Sequence, residues 1–336
     1  MSASKPTRIA VVGAGSWGSA LAMLLARNGH HATLWARDPA HVADMRSQGC
    51  NARYLPDIAF PDGLTVTDDL EACVQEADAV LLACPSHAFA EVLDRVSAVR
   101  PKDQPLFWAT KGFEHGSGRF LHELVEERID TPARGIVTGP SFALEVAQGK
   151  PTAATVASFD PKAAQWFAGL LHGPSFRAYS SGDVVGAEIG GAVKNVLAVA
   201  TGIADGMELG HNTRAALITR GAAESLRLGL AMGAHAETFM GLAGIGDLVL
   251  TCTGDLSRNR RFGLALGRGI SAEQAVKDIG QVVEGIHTAT EVRRLAKEHG
   301  VEMPIAEVTW AIIHQGKSPQ EGVRELLARQ PRPEGE

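Results

Sequence analysis

The sequence predicts an α/β domain built on a mostly parallel, doubly wound sheet, followed by an all-α domain. Over the first half of the 336 residues, short apolar runs alternate with helical stretches, which is typical of a parallel sheet with helices on both faces. From about Gly182 onward, apolar residues recur with helical period and strand signals are few. We therefore place one domain at residues 1–181, a second at 182–329 and a disordered tail at 330–336.

The composition is that of an ordinary globular protein. Hydrophobic residues make up 45%, charged residues 21%, and the formal net charge is -6, which argues against general nucleic-acid binding. The four cysteines contain no CxxC pair, so we expect neither a metal site nor a disulfide framework, and a reducing cytoplasm as the location. We find no signal peptide and no uninterrupted apolar run that could span a membrane.

Six apolar runs and six helical stretches define the predicted elements. The strand candidates are residues 8–12, 32–36, 79–83, 106–109, 135–138 and 153–156. The clearest helical stretches are residues 19–27, 183–206, 213–232, 272–279, 286–299 and 305–316. In doubly wound sheets ligands bind beyond the carboxyl ends of the strands, so the residues that follow these strands are the first candidates for a site.

A glycine-rich turn follows the first strand. Gly13-x-Gly15-x-x-Gly18 opens the first helix and begins a βαβ unit, which is the context of a Rossmann-type dinucleotide site. The first glycine permits the tight turn, the second lets the backbone approach a pyrophosphate, and the third allows close packing of the helix. The helix N-terminus offers N–H groups to the phosphates. The alternative is a plain strand-to-helix turn.

The residue after the second strand bears on the choice of cofactor. An NAD-selective site usually places an acidic residue there to bind the ribose 2′-hydroxyl, whereas this chain has Arg37 followed by Asp38. A guanidinium can bind the 2′-phosphate of NADPH, and Asp38 partly offsets its charge. We favour NADPH over NADH, with a solvated Arg37 as the alternative.

Three further strand ends carry polar or special residues. Lys111 follows the strand at 106–109, and Gly139 and Ser141 follow the strand at 135–138. A cation at this sheet edge would meet a nicotinamide or an anionic substrate, although Lys111 is also compatible with an exposed loop. His87 follows the strand at 79–83 and is a candidate catalytic histidine, but Pro-Ser-His is also a signature of a helix start.

Lys194 lies in an apolar helical segment of the second domain. On a helix its neighbours three and four residues away are small or apolar, so none of them can pair with its charge. A buried ammonium needs a partner from elsewhere in the chain or from a ligand, and desolvation suits a lysine to proton transfer near neutral pH. The alternative is a side chain that reaches solvent between small residues.

A glycine-rich loop at residues 241–248 supplies a candidate partner for this lysine. Three glycines surround Asp247, which indicates a tightly packed backbone that presents a carboxylate. We expect Asp247 to pair with Lys194. The alternative is an aspartate that caps a helix.

A basic loop at residues 254–261 is a candidate phosphate site. Ser257, Arg258 and Asn259 stand near a probable helix start, followed by two more arginines, and this combination suits a phosphate group. A solvated basic turn is the alternative. A nucleic-acid patch is disfavoured because the run is short and lacks aromatic residues.

Together these segments resemble the bacterial-type NAD(P)-dependent glycerol-3-phosphate dehydrogenases, from Ile9 to about Leu327. The segments that carry the resemblance are 12–18 (VGAGSWG), 51–56 (NARYLP), 109–112 (ATKG), 139–143 (GPSFA), 190–195 (GGAVKN), 244–248 (GIGDL) and 257–261 (SRNRR). The resemblance implies reduction of dihydroxyacetone phosphate to sn-glycerol 3-phosphate, the backbone of phospholipids.

The resemblance also implies roles at matching positions. Lys194 matches the proton-transferring lysine, and we assign Asp247 to orient it. The positions implied around the substrate are Lys111, Gly139, Ser141, Lys194, Asp247, Ser257, Arg258 and Asn259. Those around the cofactor, with the glycines of the motif, are Ser16, Trp17, Arg37, Tyr54, Lys111, Ala143, Arg258, Val282 and Glu284. Some relatives carry a second basic residue in place of Asp38, which leaves NADPH against NADH open.

Two other functions remain open at this stage. A two-domain dehydrogenase of the 3-hydroxyacid type would share both domains, but the basic loop favours a phosphorylated ketone. An NADP-sensing protein would bind cofactor without turnover, and it would not need Lys194, Asp247 and Lys111 together. The apolar helical domain is compatible with a homodimer.

Overall fold

The computed structural model describes residues 6–330 and residue 333, and these form two compact units. Unit 1 extends to Glu188 and unit 2 begins at Ile189. The domain boundary expected between residues 181 and 182 stays a prediction. The tail expected to be disordered lies outside the described residues, apart from Gln330 and Pro333.

Unit 1 is built on a sheet that has eight strands in the described chain. They are β1 (Arg8–Val12), β2 (His31–Trp35), β3 (Leu64–Thr67), β4 (Ala79–Leu82), β5 (Leu106–Trp108), β6 (Arg134–Thr138), β7 (Thr152–Ala157) and β8 (Phe176–Ser181). Their order is β3-β2-β1-β4-β5-β6-β7-β8, and every neighbouring pair is parallel except β6 and β7. The predicted doubly wound α/β class is confirmed.

The sequence prediction missed two strands, β3 and β8, which form the two edges of this sheet. Their sequences, LTVT and FRAYSS, bury only one residue each. A strand that pairs on one side and faces solvent carries no continuous apolar run, so it gives little signal to a prediction based on buried strands.

Helices flank the strands of unit 1. They are α1 (Ser16–Arg27), α2 (Pro39–Gln48), α3 (Leu70–Gln75), α4 (Phe89–Val99), α5 (Leu121–Arg128), α6 (Ala143–Ala147) and α7 (Pro161–Leu171). Helix α1 is buried from Gly18 to Ala26, within the apolar core that it forms with β1, β2 and α7. It begins at Ser16, three residues earlier than predicted, so its N-terminus lies inside the glycine-rich turn.

The regular elements of unit 2 are all helices in its described part, as predicted. Its helices are α8 (Val184–Gly206, which begins in unit 1), α9 (Gly210–Ala231), α10 (Ala236–Met240), α11 (Asp247–Thr253), α12 (Arg258–Gly267), α13 (Ala272–Ile279), α14 (Glu284–Glu298), α15 (Pro304–Gln315) and α16 (Pro319–Leu327). A π-helical turn, Leu242–Gly246, leads into α11. The sequence prediction missed α10, α11 and α16, which all have fewer than ten residues. For α12 it gave a helix start near the basic loop but no bounds.

Helix α8 is long and apolar enough to cross a membrane by length and composition. However, 89% of its most apolar window is buried inside the protein, so we interpret it as a core helix. A charged residue on such a helix therefore lies in a desolvated environment, and Lys194 is on this helix.

Helices α8 and α12 are in backbone contact along a line of glycines, which we call the glycine seam. A Cβ atom at Gly202 would lie 2.1 Å from Arg260 O, and one at Gly206 would lie 2.3 Å from Leu264 O. The same holds on α12 for Gly263 and Gly267, at 2.1 and 2.3 Å from the α8 backbone. Any larger residue would force the two helices apart.

Glu224 of α9 is a buried carboxylate that caps another helix. It is 1% exposed, and it accepts hydrogen bonds from the backbone N–H groups of Ile305 (2.8 Å) and Ala306 (3.2 Å) in the first turn of α15. Burial raises the pKa of Glu224 to about 7, although these two hydrogen bonds oppose that rise.

We expect Glu224 to make folding stability depend on pH. Because its pKa is higher in the folded than in the unfolded chain, the folded state binds the proton more tightly. This contribution to stability is fully present below the unfolded pKa and is lost as the pH rises through about 7. Relative to Glu224→Gln, the wild type should lose about 2 kcal/mol of unfolding free energy between pH 5 and pH 8.5.

Urea unfolding of both proteins at the two pH values measures this difference. Comparison with the variant removes the contribution of every other titrating group to the pH dependence, because both proteins share those groups. A difference that stays constant with pH would show that Glu224 is already ionised in the fold at acidic pH.

Candidate active site

The glycine-rich loop has a geometry that only glycine permits. Gly13 has φ +123°, and a Cβ there would lie 2.8 Å from Ala83 O in the segment after β4. A Cβ at Gly18 would lie 1.9 Å from Gly13 O. Gly15 is the N-cap of α1 and carries no side chain to cover the helix N-terminus. The loop therefore exposes backbone N–H groups in the manner that a pyrophosphate needs.

Two further observations fit a bound dinucleotide at this loop. The indole Nε1 of Trp17 is buried and has no hydrogen-bond partner among the described residues, so it has a donor to offer a ligand. Ser16, beside it, is the first residue of α1 and is only partly buried.

Asn51 fixes the neighbouring segment to this loop. It is fully buried, and its Nδ2 donates to Ala14 O (3.0 Å) and to Ser19 Oγ (2.7 Å). Tyr54 follows three residues later, in ring contact with His41 of α2. The assignment of Tyr54 to the cofactor stays a prediction.

Arg37 and Asp38, which follow β2, have different environments. Arg37 is exposed at the carboxyl end of the strand. Asp38 is the N-cap of α2, and its Oδ1 accepts a hydrogen bond from Ala40 N at 3.0 Å. The Asp38 carboxylate is therefore engaged in capping the helix, which weakens its competition with Arg37.

Lys111 and the segment after β6 meet at the carboxyl end of the sheet. Lys111 Nζ donates to Gly139 O at 3.1 Å, and Ser141 Oγ donates to the same oxygen at 2.9 Å. Gly139 has φ +129°, and Ala143 is the first residue of α6. His87 lies in a 3-10 turn, Ser86–Ala88, directly before α4, which favours its interpretation as part of a helix start.

Lys194 forms a buried ion pair with Asp247. Its Nζ lies 2.7 Å from Asp247 Oδ1, and it donates to Thr251 Oγ1 at 2.9 Å. The Lys194 side chain is 9% exposed and that of Asp247 is 1% exposed, so the lysine does not reach out to solvent. This is the pairing that the sequence suggested for an ammonium on an apolar helix.

Close packing of the π-helical turn brings Asp247 to this position. A Cβ at Gly190 of α8 would lie 2.4 Å from Ala243 O, and a Cβ at Gly244 would lie 2.3 Å from Phe239 O. Asp247 is the first residue of α11, and its side chain points to the lysine rather than capping the helix. Gly190 allows the turn to approach α8 closely enough for the ion pair, and Gly244 allows the turn to fold back against α10.

The structure separates the residues of the basic loop. Ser257 is the N-cap of α12, accepting from Arg260 N at 3.2 Å, and its own hydroxyl proton remains a donor. Asn259 Nδ2 donates to Asn195 Oδ1 at 2.9 Å, and Asn259 Oδ1 accepts from Gly285 N. The Asn259 amide is thereby fixed one residue from Lys194 on α8.

Arg258 is the arginine of this loop best suited to an anion. Burial lowers the pKa of its guanidinium, and the Glu284 carboxylate opposes this effect. Its Nη1 donates to Gln281 Oε1 at 3.4 Å, next to Val282. In contrast, Arg260 is buried against two carboxylates and Arg261 is exposed. A desolvated cation gains most from a bound anion, so Arg258 rather than its neighbours fits a phosphate.

Sequence reasoning missed two polar residues in the catalytic half of the site. Thr251 contacts the lysine, and Asn195 holds the loop asparagine. A signal existed for both: Thr251 lies four residues after Asp247, on the same face of a helix, and Asn195 adjoins Lys194.

Within residues 6–330, the structure contains no group of three or more His, Cys, Asp and Glu side chains that could hold a metal ion. The four cysteines are free thiols.

Two family models match the chain. The NAD-dependent glycerol-3-phosphate dehydrogenase N-terminus matches residues 8–164, and the C-terminus of the same family matches residues 183–324. A glycerol-3-phosphate dehydrogenase [NAD(P)+] of Stenotrophomonas maltophilia (strain K279a) is 58% identical over 329 residues, which cover 97% of this chain and 96% of the relative.

Solved structures agree with these matches. A glycerol-3-phosphate dehydrogenase from Coxiella burnetii has a TM-score of 0.92 and 45% identity, covering 96% of this chain and 99% of the other. A D-mandelate dehydrogenase, with a TM-score of 0.65 and 15% identity over 94% of this chain and 99% of the other, shares the fold alone.

The Lys194–Asp247 pair makes a prediction about stability. Asp247→Asn leaves a buried ammonium without its counter-charge, so the unfolding free energy at pH 7 should fall by about 3 kcal/mol. Thr251→Val removes the hydrogen bond that Thr251 Oγ1 accepts from Lys194 Nζ and the one that it donates to Asp247 O, and should cost about 1–2 kcal/mol. Asp278→Asn, at an exposed carboxylate, serves as the control.

Chemical unfolding of the four proteins gives the order of these effects. If Asp247→Asn were as stable as the Asp278 control, the ion pair would not contribute to the folded state in the way described.

Proposed function

Because this chain belongs to the NAD-dependent glycerol-3-phosphate dehydrogenase family, we propose that it reduces dihydroxyacetone phosphate to sn-glycerol 3-phosphate with NAD(P)H, supplying the backbone of glycerophospholipids. The observation that carries this proposal is the buried Lys194–Asp247 pair on a chain that also has the dinucleotide loop. Residues 1–181 serve as the cofactor domain and residues 182–329 as the substrate domain. The enzyme acts in the cytoplasm and forms a homodimer.

The cofactor site combines the glycine-rich loop with more distant residues. Gly13, Gly15 and Gly18 shape the loop, and the N–H groups of α1 with Trp17 Nε1 bind the pyrophosphate. The other residues that we assign to the cofactor are Ser16, Arg37, Tyr54, Lys111, Ala143, Arg258, Val282 and Glu284. We favour NADPH over NADH, since Arg37 is exposed and Asp38 is engaged in capping.

When bound, the reduced nicotinamide supplies the hydride that converts the ketone carbon to an alcohol carbon. Negative charge then develops on the former carbonyl oxygen, which needs electrostatic stabilisation and a proton. Lys194, as an ammonium, stabilises the charge and donates the proton from Nζ. Asp247 and Thr251 hold the amine in one orientation, because both bind the same nitrogen.

The substrate phosphate binds to the start of α12. Arg258 supplies the charge, and Asn259, the Ser257 hydroxyl and the N–H groups of the first turn supply directed hydrogen bonds. Lys111, Gly139 and Ser141 complete the set of residues that we assign to the substrate. Fixing the phosphate fixes the ketone, because only three bonds separate the phosphorus atom from the carbonyl carbon.

The proton donor can be tested directly. Lys194→Ala should lower the turnover of dihydroxyacetone phosphate by about 10²-fold or more, because the developing oxyanion loses both its charge partner and its proton. The measurement is the loss of near-ultraviolet absorbance of the reduced cofactor. NADPH binding, followed by fluorescence titration, should stay within about twofold of the wild type.

Near-normal turnover in this variant would remove Lys194 from the mechanism. A wild-type protein that binds NADPH but does not oxidise it with this ketone would point to another substrate or to a cofactor sensor.

The cofactor preference depends on Arg37. In Arg37→Ala, kcat/KM for NADPH should fall by about tenfold, because one charge-assisted contact to the 2′-phosphate is lost, while the value for NADH changes little. Asp38→Asn serves as the matched control, since an asparagine keeps the helix cap. An equal fall of kcat/KM with both cofactors would show that Arg37 does not bind the 2′-phosphate.

A further inference from the structure

Arg260 is a buried cation of unit 2 that pairs with two carboxylates, and the function proposed above does not use it. Its Nε and Nη2 lie 2.9 and 2.7 Å from Asp205 Oδ2, and its Nη1 lies 2.7 Å from Asp255 Oδ1. The other oxygen of Asp205 binds Arg214 of α9 at 2.7 Å. The side chains of Arg260 and Asp205 are 9% and 6% exposed. We call these four residues the Asp205 cluster.

The Asp205 cluster is difficult to explain if its only role is to stabilise the fold. Desolvation of buried charges largely cancels their attraction, so such networks contribute little net stability compared with apolar packing. Such networks restrict the relative orientation of the two side chains, because the planar guanidinium binds a carboxylate within its own plane.

The cluster joins the same two helices as the glycine seam. Arg260 belongs to the first turn of α12, and Asp205 is near the C-terminal end of α8. Asn259 of the same turn is bonded to Asn195, which precedes the seam on α8. Contact between glycine backbones fixes how close the two helices come, and apolar side chains of both helices pack in one core cluster beside the seam. Apolar packing is non-directional. The two polar contacts add a directional restraint on the rotation of α12.

The three polar side chains at the start of α12 have different partners. Asn259 binds Asn195 of α8 and Arg260 binds Asp205 of α8, whereas Arg258 lies near the Glu284 carboxylate. The rotation of α12 about its axis decides where the Arg258 guanidinium and the first N–H groups of the helix lie relative to Lys194 on α8.

We propose that Arg260, through Asp205, is a positioning residue for the phosphate group of the substrate. It sets the rotation of α12 on α8 and so the distance between the phosphate-binding turn and the proton-donating lysine. This inference rests on the function proposed above. It predicts that damage to the cluster affects a phosphorylated ketone and spares the same ketone without its phosphate.

The test compares two substrates in the variant Arg260→Lys, which keeps the charge and loses the fork. With dihydroxyacetone phosphate, KM should rise by about tenfold with kcat less affected, whereas kcat/KM for unphosphorylated dihydroxyacetone should stay within about twofold. The inhibition constant of inorganic phosphate, competing with dihydroxyacetone phosphate, should rise by the same factor as KM. Arg268→Lys is the matched control, at an exposed arginine at the other end of α12.

Asp205→Asn provides a second route to the same result, because it keeps the size of the side chain and weakens both arginine contacts. An equal loss with both ketones, or a lower kcat at unchanged KM, would mean that the cluster only maintains the fold and would overturn the inference. Unchanged KM and phosphate inhibition in both variants would also overturn it. Failure of the wild type to reduce dihydroxyacetone phosphate would instead contradict the proposed function, and the control variant would fail with it.

Discussion

The buried contact between the Lys194 ammonium and the Asp247 carboxylate is the constraint on which the arrangement of unit 2 depends. An ammonium on an apolar core helix is tolerated only if a carboxylate is brought to it. That carboxylate belongs to a segment 53 residues away in sequence. Gly190 lacks a side chain where a Cβ would collide with the backbone of the π-helical turn, which allows the approach, and Gly244 lacks one where the turn folds back against α10. The ion pair thus depends on the π-helical turn that carries Asp247 towards α8 and on the glycines that allow this close packing.

The positive charges of the basic loop show how neighbouring residues of one type acquire different tasks. Three arginines lie within four positions, and from the sequence they are equivalent. Arg260 pairs with two carboxylates, Arg261 is exposed, and Arg258 is partly buried, which lowers the pKa of its guanidinium. A guanidinium with full ionic pairing has little to gain from a phosphate, and a solvated one must first lose water. We therefore expect Arg258 to bind an anion best, because its charge is the least balanced by nearby carboxylates or water.

The fold was largely predictable because its signals are local. Buried parallel strands are continuous apolar runs, and long core helices show their period, so β1, β4 and α8 emerged with nearly correct bounds. The edge strands and the short helices lacked such signals, since their stability comes from tertiary pairing rather than from their own sequence. The antiparallel placement of β7 has no local signature at all.

The site was predictable to a different extent. The sequence identifies Lys194 as anomalous because its expected environment and its charge conflict, and Asp247 because glycines surround it. It does not reveal Thr251 as a contact of the lysine, because a threonine in a helix has many ordinary roles. It also could not separate Arg258 from Arg260, because the decisive partner, Asp205, lies 55 residues away. Residues that conflict with their surroundings are visible in a sequence, whereas residues satisfied by distant partners are not.

The same reasoning explains why the glycine seam and the charged cluster occur together. A glycine in a helix lowers folding stability by about 0.5–1 kcal/mol relative to alanine. The attraction between buried charges offsets little more than the free energy of their desolvation. Four such glycines and a buried arginine along two helices therefore form an arrangement that stability alone would not favour. Departures of this kind are expected where geometry matters more than stability. Both departures lie on α8 and α12, the helices to which we assign the proton-donating lysine and the phosphate-binding turn. The requirement that we propose for both is a fixed geometry between these two groups. Backbone contact fixes how close the helices come, and the charged cluster restricts their relative rotation.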